Sequence, residues 1–84
     1  MLNKTILVVD DDPMFRKVTR RQLEKMGFSV IDVDSGVKVE ALIIERLPAV
    51  CLIDIVMDER EGLEIISALR ELSLPIKIIA VSSN

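Results

Sequence analysis

"AVCLID", residues 49–54, decides the fold. From Ala49 to Ile53 the run is apolar without alternation, the pattern of a strand covered on both faces and therefore central in a parallel sheet. Asp54 follows directly, where the backbone leaves the interior. A carboxylate at that point needs a physical reason. Working outward, "TILVVD" (residues 5–10) is a second β-branched apolar run, and "KIIAVS" (residues 77–82) a third. "FSVIDVD" (residues 28–34) is weaker, because Asp32 and Asp34 alternate with Ile31 and Val33 as in an edge strand.

Helical segments separate these runs. Asp12-Pro13 has the form of an N-cap followed by proline at the first helical position, where its missing N–H is harmless. The first helix is expected to turn Phe15, Val18, Leu23 and Met26 inward and Arg16, Lys17, Arg20, Arg21 and Lys25 outward, with Gly27 closing it in the left-handed conformation. Ser35 or Gly36 opens a second helix to about Arg46, with Val39, Leu42 and Ile43 apolar and Pro48 as its stop. In "LEIISALREL" (residues 63–72) the spacing of Leu63, Ile66, Leu69 and Leu72 predicts a third helix.

The order β-α-β-α-β-α-β implies one domain over residues 1–84, an α/β parallel sheet with right-handed crossovers. With the second strand at an edge and the first and third central, the strand order is 2-1-3-4. Winding then reverses between strands 1 and 3, and ligands of open α/β sheets bind in the crevice at the carboxyl ends of such strands.

Composition narrows the function. The aromatics are two phenylalanines, so the core must be aliphatic. A net charge of −3 argues against a nucleic-acid or anionic-membrane surface, which would need a basic patch. Cys51 lies in the central apolar run and reads as a buried core thiol. Neither a signal peptide nor an apolar run of spanning length is evident, so a cytoplasmic location is expected.

The crevice is lined by what the strand ends carry: Asp10, Asp11 and Asp12 after strand 1, Asp54 after strand 3, Ser82 after strand 4. "VVDDDP" has neither G-x-G-x-x-G nor G-K-[ST], which excludes the usual nucleotide-phosphate loops. Individually, Asp12 is a helix cap, Asp10 and Asp11 are compatible with loop solvation, and a strand-end serine is common. Jointly they point to a hard cation, because crowded carboxylates raise one another's pKa and Mg²⁺ takes oxygen ligands including one or two carboxylates. Such an ion would orient a phosphoryl donor in line with Asp54.

"ILVVDDDP", "LPAVCLIDIVMDEREGLEII" and "IKIIAVSS" closely resemble the receiver domain of bacterial two-component response regulators, over the whole chain. The resemblance implies a flavodoxin-like, CheY-like doubly wound sheet with Asp54 as phosphoacceptor and Asp10 and Asp11 as the acidic pair for Mg²⁺. It also implies the Val56 backbone carbonyl as a further metal ligand, Ser82 as the switch hydroxyl, and Gly62 as the glycine that admits the loop to helix 3. The partner it implies is a histidine kinase or phosphotransfer protein, with an output domain in a longer chain. The loop departs from the family pattern: Met57-Asp58 stands where Met-Pro is usual and Glu61-Gly62 where Asp-Gly is usual, from which a more mobile loop is expected.

A receiver also continues through a fourth helix, a fifth strand bearing a lysine and a fifth helix, so the likeness is to the part before them. Lys77 begins strand 4, at the end away from the crevice, and does not replace that lysine. Without a fifth helix, the helix 1 side of strands 3 and 4 lacks cover, from which a homodimer or other self-association is expected. Two functions remain open: a phosphoaccepting signalling module, and a non-phosphorylated interaction or assembly module that keeps the crevice. An aspartate-dependent phosphohydrolase fits less well, since Val56 stands where a second acid would be needed.

Overall fold

The computed structural model describes residues 3–34, 39–55 and 62–81. Four parallel strands, β1 (Thr5–Val9), β2 (Ser29–Val33), β3 (Val50–Asp54) and β4 (Lys77–Val81), form one sheet in the order β2-β1-β3-β4. Three helices connect them: α1 (Pro13–Lys25), α2 (Val39–Arg46) and α3 (Gly62–Glu71). The expected order and the β-α alternation are both present.

Alternation of side chains divides the sheet into two faces. On one, Leu7, Val9, Cys51 and Ile53 pack with Val39 and Ile43 of α2 and Ile65 and Leu69 of α3. On the other, Ile6, Val8 and Val30 form a smaller cluster with Leu23 of α1, Phe28, Val50 and Leu52. The central strands are buried because both faces are covered near β1. Cover is thinner toward β4, where Ile79 is 43% exposed.

Local chemistry sets the helix ends. Asp12 is extended (φ −85°, ψ 110°) and its side chain accepts from the Met14 N–H at 3.0 Å, with Pro13 opening α1. Gly27, at φ 95°, follows the C-cap Met26 in the left-handed region.

Two helix faces differ from expectation. In α1, Phe15 and Leu23 are half-buried, but Val18 (49%) and Met26 (69%) are exposed. The half-buried row is Phe15, Thr19 and Leu23, spaced by four, and Arg16 beside it is half-buried as well. In α3 the buried residues are Gly62, Ile65 and Leu69, while Leu63 is 60% exposed. A strict three-residue spacing falls about 60° short of a full turn at each step, so Leu63 and Leu69 cannot share a narrow face. The residues expected to open the second helix, Ser35 and Gly36, lie outside the described residues.

Candidate functional site

The register of the two central strands builds the site. Val9 pairs with Ile53, and both strands run the same way, so Asp10 and Asp54 leave the sheet side by side. Neighbouring strands are about 4.8 Å apart, which brings the two carboxylates together through backbone geometry alone. Asp11 follows Asp10 in the same loop. Among the described residues, Asp10, Asp11 and Asp54 form a cluster in which one carboxylate oxygen from each lies within 4.8 Å of the others.

Their environments differ. Asp10 and Asp54 are each 3% exposed, whereas Asp11 faces solvent. The Asp10 carboxylate accepts the Asp12 N–H on Oδ1 at 2.9 Å. Burial pushes the Asp10 carboxyl above its usual 3.8; the bond from Asp12 opposes this, and the charges of Asp54, Asp11 and Asp12 add to the rise. Asp12, by contrast, is occupied with capping α1, as expected.

Oxygen donors at this spacing fit a small hard cation. Opposite ligands of octahedral Mg²⁺ stand about 4.2 Å apart, comparable with the spread of the three oxygens. The expected ligand Val56, the switch hydroxyl Ser82 and the departures at Met57-Asp58 and Glu61 lie outside the described residues.

Gly62 has a role that motif matching alone does not give. A Cβ there would collide with the Asp54 carbonyl oxygen and stand 2.6 Å from the Ile55 Cα. The first turn of α3 thus rests directly on the strand end that carries Asp54, held further by the bond from the Gly62 N–H to the Ile55 carbonyl at 3.3 Å.

Arg16 is the residue that sequence reasoning missed. Expected on the outward face of α1, it is 18% exposed and donates from Nη1 to the Asp10 carbonyl at 2.8 Å and from Nε to Asp32 at 3.2 Å. The signal available was Asp32 itself, an acid within a strand, which needs a cationic partner once half-buried. Cys51 is fully buried, and burial pushes its thiol up to about 12, in keeping with an inert core residue.

A doubly wound parallel sheet with an acidic cluster at its reversal of winding defines a class of α/β modules whose crevice is built from carboxylates. Within that class, the chain belongs to the response regulator receiver domain family, which it matches over residues 6–84. A receiver domain is a signalling domain rather than an enzyme in the ordinary sense. The chain is 35% identical to BvgA of Bordetella pertussis, named as a transcription regulator of virulence factors, over 100% of its own length and 40% of that protein. It is 31% identical to the phosphate regulon transcriptional regulatory protein PhoB of Pseudomonas aeruginosa, over 100% of itself and 38% of PhoB. The chain therefore spans about two-fifths of the length of these curated relatives. Among solved structures, the Thermotoga maritima response regulator TrrA, in complex with Mg²⁺ and a beryllium fluoride, superposes with a TM-score of 0.90 at 27% identity, covering 96% of this chain and 70% of that one. No helix among the described residues is long and apolar enough to cross a membrane.

Proposed function

We propose that the chain is a phosphoaccepting receiver module in which Asp54 takes a phosphoryl group from the phosphohistidine of a histidine kinase or phosphotransfer protein in the cytoplasm. The observation that carries this reading is the meeting of Asp10, Asp11 and Asp54 at the carboxyl ends of β1 and β3. Asp10 and Asp11 would hold Mg²⁺ there, with Asp54 as a further ligand and the Val56 carbonyl proposed as another. When bound, the ion neutralises charge on the transferring phosphoryl oxygens.

The protein's own part is positioning. Asp54 is fixed by the β3 ladder and by Gly62 behind it, so its carboxylate is presented to an in-line phosphorus at little entropic cost. A carboxylate oxygen forms the new P–O bond as the P–N bond of the donor breaks, and the imidazole nitrogen keeps that electron pair. Ser82, the next residue in sequence after β4, is proposed as the hydroxyl that responds to the phosphoryl group. The TrrA structure, a receiver-like fold solved with Mg²⁺ and a beryllium fluoride, supports the ligand class. The output domain proposed for a longer chain is of the DNA-regulating kind, as the names of BvgA and PhoB suggest for those proteins.

The test is labelling. Incubated with Mg²⁺ and acetyl phosphate, the chain is expected to gain one phosphoryl group by intact-mass spectrometry, and Asp54→Asn none. Mg²⁺ is also expected to raise the thermal midpoint of the parent and to do so less in Asp11→Asn, because a ligand selective for the folded state stabilises it. Equal labelling of Asp54→Asn would remove the assigned acceptor. No labelling together with no metal response would favour the assembly-module reading.

A further inference from the structure

A charged network ties the acidic loop to the far side of α1. Asp32, on the edge strand β2, is 22% exposed and receives Arg20 Nη1 at 2.7 Å and Arg16 Nε at 3.2 Å. Arg16 Nη1 in turn donates to the Asp10 carbonyl at 2.8 Å. The Asp10 N–H is bonded to the Val33 carbonyl at 3.1 Å, so the backbone of this residue is gripped from both sides: by β2 through its N–H and by α1 through its C=O.

That carbonyl belongs to the peptide plane joining Asp10 to Asp11. Fixing the plane fixes where the Asp11 N and Cα stand and so narrows where its side chain can reach, and Asp11 is the solvent-facing member of the cluster. We propose that Arg16 is a positioning residue for divalent-cation binding, holding the Asp10–Asp11 peptide so that the Asp11 carboxylate stays in range of Asp10 and Asp54, with Asp32 orienting the guanidinium. The fork shape of the guanidinium suits this task, since one group must bond a carboxylate and a carbonyl at once. The inference rests on the reading of the acidic cluster as a cation site.

Charge and position here act with opposite sign. A guanidinium bonded to a ligand residue's carbonyl repels a divalent cation, so an effect through charge alone makes Arg16→Gln bind Mg²⁺ more tightly. Positioning makes it bind more weakly. A role confined to stability lowers the melting temperature of the metal-free chain and leaves the Mg²⁺ dissociation constant unmoved.

The experiment is calorimetric titration of the whole chain with MgCl₂, for the parent, Arg16→Gln, Asp32→Asn and the double variant, each checked for folding by circular dichroism. Arg16→Gln is expected to weaken binding about tenfold, the scale seen for residues that orient metal ligands. Asp32→Asn is expected to weaken it several-fold, and the double variant no further than Arg16→Gln alone, because the two act as one unit. If Arg16→Gln does not fold, Asp32→Asn carries the test. Folded Arg16→Gln or Asp32→Asn binding as tightly as the parent, or more tightly, overturns the proposal. A parent chain that binds no Mg²⁺ overturns instead the cation-site reading beneath it.

Discussion

A buried carboxylate among like charges is a liability without a counter-ion, and Asp10 is that residue here. Its carboxyl is held above the usual range by burial first, with the neighbouring acids adding to the effect. The sign follows from linkage: a group whose folded pKa is raised contributes stability that is complete below its unfolded value and is lost as pH rises through the folded value. In the metal-free chain, Asp10 therefore destabilises the fold at neutral pH. Asp10→Asn keeps an oxygen acceptor for the Asp12 N–H and removes the charge, so in EDTA it is expected to be more stable than the parent. The difference should be small in acid and grow as pH rises past the carboxylate range, and Mg²⁺ should stabilise only the parent. Urea unfolding across pH checks this; a variant less stable than the parent at neutral pH in EDTA would contradict it.

Elements meet at the site through backbone as much as through side chains. The first turn of α3 lies against the Asp54 carbonyl with no room for a Cβ, so Gly62→Ala must push the helix or the end of β3. Overpacking of this kind costs about 1–3 kcal/mol. Gly62→Ala is expected to lose stability on that scale and to slow acetyl phosphate labelling of Asp54, as read by urea unfolding and by mass spectrometry; unchanged labelling would show that α3 does not set the position of Asp54. The exposed ion pair of Arg20 with Glu24 contributes little by comparison, with both side chains nearly half exposed.

For the molecule as a whole, the two faces of the sheet are unequally covered. The face under α2 and α3 holds the larger cluster, while the α1 face thins out toward β4, where Ile79 is more than two-fifths exposed. Each Å² of apolar surface withdrawn from water is worth roughly 25 cal/mol, so association through this face would need several hundred Å² or more to offset the roughly 4–15 kcal/mol lost in translational and rotational freedom. The 84-residue chain is expected to sediment above its 9.4 kDa monomer mass at micromolar concentration. Ile79→Lys should shift it toward monomer without loss of circular dichroism signal. A folded monomer for the parent would sink this expectation. By itself the sequence determined the strand order and the acids at the strand ends, because unbroken apolar runs, alternating Asp32 and Asp34, and residues just past each run are local signals. It could not determine which residues of α1 and α3 turn inward, that Gly62 presses on Asp54, or that Arg16 reaches both Asp32 and the Asp10 carbonyl. Those were decided by tertiary structure, since each depends on the distance between segments far apart in the chain, fixed only when helices and sheet are packed together.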